Sequence, residues 1–295
     1  MFVYYSKYIL YALYANQEQL VINLIIKAST LVNQERRFFY TTHINEGERM
    51  AFQTVFRRYE IKYMLTLEEK EKILLAMRDY MELDKYGRSS IRNIYFDTGN
   101  YRLIRRSIDK PEYKEKLRIR SYGKASPDSR VFVELKKKYD HVVYKRRLDL
   151  KCDAAFDWVC GREPCPLDTQ ISREIDYFRK YYEDLRPAAF LSYEREAFFE
   201  KSGGSFRVTF DDNILFRTEE LSLISDAYGT QLLDDEHVLM ELKCAGGIPL
   251  WLVRVLSENK IYKTSFSKYG TGYSRIILPQ INEKLHRQGV TICNR

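Results

Sequence analysis

Lysine and arginine recur at alternate positions along several short segments of this chain, a spacing that places them on one side of an extended strand. In Lys114-Glu-Lys-Leu-Arg-Ile-Arg120, the residues Lys114, Lys116, Arg118 and Arg120 align opposite Leu117 and Ile119. Between Val131 and Lys138, Glu134, Lys136 and Lys138 align opposite Val131, Val133 and Leu135. The same rule sets Lys145 with Arg147, Tyr193 with Arg195, Glu241 with Lys243, and Arg58 and Glu60 with Lys62. Guanidinium forks and ammonium groups are the side chains best suited to phosphate oxygens, which makes Lys62, Arg118, Arg120, Lys136, Lys145, Arg147 and Arg195 candidate contacts to a chain of phosphates. A carboxylate among them is repelled by phosphate unless it holds a divalent cation, Mn²⁺ or Mg²⁺, that bridges phosphate oxygens; Glu241, Glu134 and Glu60 are the candidates. The competing reading of each glutamate is an ion-pair partner for a neighbouring lysine.

Strands must carry such a lining. Ile91–Asp97 and Phe206–Asp211 add further segments, and the Glu241 segment runs over Val238–Lys243, bringing the total to about eight, a number whose closed barrel holds side chains or one small ligand. The expected fold is α+β: a closed eight-stranded antiparallel β-barrel, or tunnel, with flanking helices. Any one of these strands reads as ordinary sheet with a solvated charged face. Solvated faces usually mix charge signs, however, whereas here cations dominate strand after strand, and that is costly without an anion to neutralise them. Amphipathic helices are expected over Leu67–Tyr80, opened by the capping-box spacing Thr66/Glu69, over Asp168–Tyr182, and over Pro249–Asn259.

Composition agrees with an anionic partner. The 295 residues contain 49 Lys and Arg against 41 Asp and Glu, a net charge of +8. Five cysteines without CxxC spacing and four scattered histidines argue against a disulfide framework, a structural zinc site or a histidine-ligated metal, and fit a reducing, cytoplasmic location. No phosphate loop of the G-x-x-x-x-G-K-[ST] type, GxGxxG turn or kinase signature is present, so a nucleotide would not be held at a helix N-terminus by a Gly-rich loop. Residues 1–49 read as a foreign extension: their apolar runs are interrupted at Asn16–Gln19 and none reaches the length of a membrane span. Translation from Met50 is one expectation, since Glu46-Gly-Glu-Arg49 can be encoded by a ribosome-binding-like sequence. The expected domain covers 50–280, with 281–295 as a tail. Membrane association would then require a partner protein.

The segments RYEIKY at 58–63, YFDT at 95–98, KEKLRIRSYG at 114–123, VFVELKKK at 131–138, VVYKRR at 142–147, SYERE at 192–196, LMELK at 239–243 and SFSKYGTGY at 265–273 together resemble the VTC domain. This is the polyphosphate polymerase domain of the triphosphate tunnel metalloenzyme superfamily, found also in bacterial proteins. The resemblance implies an eight-stranded tunnel and metal-dependent transfer of the ATP γ-phosphate to a growing inorganic polyphosphate chain. It implies phosphate contacts from Lys62, Arg118, Arg120, Lys136, Lys145, Arg195 and Lys268, assistance from Tyr193, and a metal ligand at Glu241. A further contact is implied within Arg105-Arg106, taken as Arg106. Two positions depart from the pattern. Arg58 replaces the first acidic residue of the ExExK strand of related triphosphatases, which suits a polymerase better than a hydrolase. Ser265 stands where the eukaryotic polymerases have a lysine and is taken as a substrate contact. The alternatives are a tunnel triphosphatase and a non-catalytic polyphosphate binder. RNA is disfavoured because many of the 24 tyrosines sit on helices or on the opposite strand face.

Overall fold

The computed structural model describes residues 59–139 and 142–288, all within one compact unit of the chain, Gln53–Arg295. The readings made for residues 1–49 and for Arg58 fall outside these residues.

Eight long strands form where period-2 alternation predicts them: β1 (Tyr59–Thr66), β2 (Met81–Asp97), β3 (Tyr113–Tyr122), β4 (Arg130–Tyr139), β5 (Val142–Lys151), β6 (Arg186–Glu200), β7 (Arg207–Arg217) and, after the two-residue β8 (Thr230–Gln231), β9 (His237–Cys244). A short β10 (Lys263–Thr264) completes one antiparallel sheet in the order β10-β1-β9-β7-β6-β2-β3-β4-β5, with β8 beside β7. The expected closure is not present. Among the described residues the sheet is open between β5 and β10, and the free edge of β1 is occupied by β10 through the pairs Lys62↔Thr264 and Tyr63↔Lys263. The sheet is nevertheless strongly curled, since the Lys136 ammonium of β4 reaches the Glu60 carboxylate of β1 at 2.6 Å across its hollow side.

The convex side holds the apolar residues. Leu117, Ile119, Val131, Val133 and Leu135 are fully buried there, under α3 (Cys152–Val159) and α4 (Gln170–Tyr181), which contribute Trp158, Ile175 and Phe178 to the same cluster. Over β1, β7 and β9, α1 (Leu67–Met77) and α5 (Leu250–Glu258) bring Ile73, Met77, Leu252 and Leu256 against Leu65, Val208, Phe210 and Met240. Each such aliphatic or aromatic side chain removed from water stabilises the fold by about 1.5–3 kcal/mol. The capping box at α1 forms as its spacing predicts: the Glu69 backbone N–H donates to Thr66 Oγ1 and the Thr66 N–H to Glu69 Oε2. α4 begins one residue after its cap, Thr169, rather than at Asp168.

The concave side is divided. One end is apolar and is filled by a third cluster in which Ile91, Leu191, Ile214, Phe216 and Leu239 meet α2 (Arg102–Ile108), α6 (Lys268–Gly272) and the π-helical turn Tyr273–Ile277 that leads into α7 (Leu278–Arg287). A register shift between β6 and β7, with Asn213 at φ 44°, slips the phase of β7, so Ile214 and Phe216 face the same side as Asp211. Asp97 of the YFDT segment ties this end together. Its buried carboxylate accepts from the backbone N–H of the next residue, Thr98, from those of Leu103 and Ile104 at the start of α2, and from the Tyr269 hydroxyl of α6. The other end of the concave side is ionic.

Candidate functional site

Antiparallel register sets the ionic end rung by rung. Arg118 lies opposite Glu134 and Glu134 opposite Arg147 across β3, β4 and β5. The Glu134 side chain is 1% exposed and sits within 4 Å of four cations: Arg118 at 2.7 Å, Lys145 at 2.6 Å, Arg147 at 3.5 Å and Arg120 at 3.8 Å. Burial alone would raise its carboxyl, but Arg120, Arg118 and Lys145 outweigh burial and hold it well below the carboxylate range. Because the charge of Glu134 is shared, it cannot offset the burial of Lys145, whose ammonium falls to about 7 with Arg120 and Arg118 nearby. Tyrosines and an amide orient the guanidinium groups: Arg118 donates to Tyr95 Oη at 2.9 Å, and Arg120 to Asn93 Oδ1 at 2.9 Å and Tyr193 Oη at 3.2 Å. Burial would raise the Tyr95 phenol, yet Arg118, Lys116 and Arg120 bring it down to about 8.

A second centre lies on β6 and β7. Arg195 makes a bidentate pair with the fully buried Asp211, at 2.6 and 2.7 Å, and Lys268 at the start of α6 reaches the same carboxylate at 2.5 Å. Both cations lie over the Tyr193 ring. Against the pull of burial, Arg195 and Lys268 keep Asp211 at about 2. Asp211 was visible in the sequence only as a polar residue in the alternation of β7; its partners come from β6 and α6, so local spacing carried no sign of this role.

The third group is on β1 and β9. Glu241 is 3.1 Å from Lys243 and 4.0 Å from Lys62, whose ammonium donates to the Phe266 carbonyl at 2.8 Å. Glu60, paired with Lys136, is close enough for Glu241 to disfavour its charge. Beside them the buried Thr209 hydroxyl, directly opposite Glu241 in the β7–β9 register, has no hydrogen-bond partner among the described residues. Two carboxylates and an unpartnered hydroxyl are hard oxygen donors suited to Mg²⁺ or Mn²⁺. Among the described residues no three His, Cys, Asp or Glu side chains converge, so these protein groups alone would not complete the shell of a cation. Glu134 offers less, because its oxygens already face four cations.

The curl thus brings together Lys62, Arg118, Arg120, Lys136, Lys145, Arg147, Tyr193, Arg195, Lys268, Glu134 and Glu241. Two expected contacts lie apart. Ser265 is exposed ahead of α6, and its neighbour Ser267 takes the inward place, accepting from Lys116 at 3.3 Å and capping α6 through the Gly270 N–H. Arg106 is exposed on α2, where it lines a small surface hollow with Tyr113 and Tyr182. Nine cations share the four carboxylates of Glu60, Glu134, Asp211 and Glu241. The ionic end therefore carries more cations than carboxylates. No helix among the described residues is long and apolar enough to cross a membrane.

The VTC domain family matches residues 57–277 of the chain. No curated protein matches it. Among solved structures, a Bacillus halodurans protein provisionally named an adenylate cyclase is 14% identical, with a TM-score of 0.48, over 73% of this chain and 96% of its own. A Hippeastrum protein, described as an adenylyl cyclase candidate with a dominant triphosphatase activity, is 13% identical, with a TM-score of 0.44, over 80% of this chain and 98% of its own. A Pyrococcus horikoshii protein is also 13% identical, with a TM-score of 0.38, over 76% and 98% of the two chains.

Proposed function

The chain belongs to the VTC domain family, and from that premise we propose that it is a polyphosphate polymerase, transferring the γ-phosphoryl group of ATP to the end of an inorganic polyphosphate chain. The observation that carries this reading is the surplus of cations in the hollow: only a ligand with several negative charges neutralises it. A terminal oxygen of the polyphosphate forms the new bond to the γ-phosphorus, the bond from that phosphorus to the β–γ bridging oxygen breaks, and ADP leaves with the electron pair. The transfer is between phosphate oxygens and needs no proton removed from the acceptor. Catalysis of this kind is positioning and charge neutralisation. Arg118, Arg120, Lys145 and Arg147 hold one stretch of phosphates and Arg195, Lys268 and Lys62 another, with Lys136 between them and Tyr193 supporting Arg120, Arg195 and Lys268. Glu241, with Glu60 and Thr209 at hand, would hold a divalent cation, which would supply additional positive charge against the phosphates.

Hydrolysis would require a base to take a proton from water. The four carboxylates of the ionic end are ion-paired, and surrounding cations hold Glu60, Glu134, Asp211 and Glu241 below their ordinary range against the effect of burial. Such carboxylates are weak bases, which favours transfer to phosphate over transfer to water. The test is incubation of the full chain with ATP and Mn²⁺ or Mg²⁺ while ADP, free phosphate and long-chain polyphosphate are measured. Polymer should accumulate in step with ADP; free phosphate without polymer would make the protein a triphosphatase, and tight polyphosphate binding without turnover would make it a binder. Glu241→Gln should lower metal-dependent turnover by about a hundredfold, comparable to removal of one transition-state contact, with an unchanged circular dichroism spectrum.

A further inference from the structure

Asp97, the last residue of β2, is fully buried, and the four donors it meets are neutral. They are the backbone N–H groups of Thr98, Leu103 and Ile104 at 2.9, 2.8 and 3.0 Å and the Tyr269 hydroxyl at 3.0 Å. Burial raises the carboxyl above its ordinary value, and these donors offset that only in part. A buried carboxylate served by neutral donors is costly to the fold. What it holds is α6. That helix has five residues, too few to be stable by itself, so its place is set by what it packs against. Gly272 lies so close over the Phe216 ring that a Cβ would collide with it, and the Tyr269 ring stacks on Tyr95, with centroids 4.7 Å apart and planes 20° from parallel. Those contacts set the height of α6 above the sheet but leave it room to slide, whereas the Tyr269–Asp97 hydrogen bond is directional and fixes its register. Two ionic centres meet here. Lys268, the chain neighbour of Tyr269, reaches Asp211 at 2.5 Å and lies over the Tyr193 ring. Tyr95 accepts from Arg118 at 2.9 Å.

We infer that Asp97 is a positioning residue: by holding the Tyr269 hydroxyl it sets the place of Lys268 in the ionic end, although neither Asp97 nor Tyr269 touches the ligand. The inference rests on the reading of Lys268 as a phosphate contact. The two parts of Tyr269 have separate duties. Its ring supports Tyr95 and, through it, Arg118; its hydroxyl orients α6 and Lys268. Displacing a phosphate contact by about 1 Å is enough to weaken its action on the reacting groups, so a hydrogen bond at the foot of α6 is felt at the Asp211 centre.

The experiment is a double-mutant cycle. Calorimetric titration with inorganic tripolyphosphate compares the native full chain with Tyr269→Phe, Lys268→Ala and the double variant, each at a temperature where circular dichroism shows it folded. Tyr269→Phe keeps the ring and removes only the hydrogen bond; affinity should fall about fivefold, the value of one such bond. In the Lys268→Ala background the same substitution should change affinity by less than about twofold, because the group it positions is gone. An equal loss in both backgrounds would mean that Tyr269 acts on the fold as a whole and overturns the inference, as would native affinity in Tyr269→Phe. Asp97→Asn, which exchanges one acceptor oxygen for a donor, should lower affinity at least as far, and adding Tyr269→Phe to it should cost nothing more; additive losses would separate the two residues and remove Asp97 from the role. Where Asp97→Asn does not fold, the cycle through Tyr269 and Lys268 decides. Tripolyphosphate binding does not depend on polymer formation, so a protein that makes no polymer from ATP overturns the polymerase reading and leaves the cycle to judge the role of Asp97. A native protein that binds no tripolyphosphate overturns both.

Discussion

The two faces of this sheet are written on the same strands, residue by residue in alternation, and obey opposite rules. On the convex side Leu117, Val133 and Leu135 are fully buried beneath α3 and α4, and every contact lowers the free energy of the folded chain. On the concave side Arg118, Glu134, Lys136 and Lys145 are brought together at some cost, since burial opposes their charges and cations outnumber carboxylates. The contrast teaches that one face of the sheet stabilises the fold while the other retains repulsion that the proposed polyanionic ligand would relieve.

That division can be broken from either side. The largest effect is expected from Trp158→Ala on the convex side, where the side chain is fully buried and its indole N–H donates to Asp176 at 2.8 Å; stability should fall by about 4 kcal/mol. Denaturant titration measures this, and polyphosphate affinity of the folded fraction should stay the same. A loss of affinity equal to that of a concave variant would dissolve the distinction between the faces.

Next in size is Glu134→Gln, which leaves four cations around a neutral amide. Stability without ligand should fall by about 3 kcal/mol, the cost of breaking a buried ion pair. Polyphosphate should raise the melting temperature of this variant by more than it raises that of the native protein, because the anion takes over the missing charge. An equal or smaller rise would show that Glu134 serves packing alone.

The smallest effect is a pH dependence confined to the concave side. Lys145 near 7 and Lys116 near 8 lose protons as pH rises through that window in the free protein, and a bound polyanion raises both values again. Binding then takes up protons, and affinity should fall by up to about tenfold per pH unit for each proton taken up between pH 7 and 9. The free protein shows the opposite sign: both lysines titrate below the unfolded value, so the unfolded chain binds more protons and stability rises with pH from about 7 toward 10. Affinity unchanged over this window, after correction for ionisation of the ligand, would remove the two lysines from contact with it.

Much of the fold was legible in the chain because the relevant signals are local. Period 2 in Lys114–Arg120 and Val131–Lys138 marks strands and sorts their faces from single segments, and Thr66 with Glu69 marks the start of α1. The cations of the hollow were found the same way. What local spacing could not show was pairing across the sheet. Asp211 looked like one more alternating residue until β6 and α6 brought Arg195 and Lys268 to it, and spacing kept Glu134 beside Glu241 as a metal candidate without showing that four cations gather around the one and that the Thr209 hydroxyl lies opposite the other. Ser265 and Arg106 were placed by analogy of position, and the turn into α6 and the exposed side of α2 carry them away from the centre.

The alternation of side chains by itself determined that this protein has one apolar and one cationic sheet face, because neighbouring residues of an extended chain must point in opposite directions. Only the tertiary structure decided that β10 occupies the edge of β1, that the sheet stays open among the described residues, and which carboxylate each cation meets. Those outcomes depend on register and curl between segments as far apart as Glu60 and Lys136, and no local pattern encodes a distance of that kind.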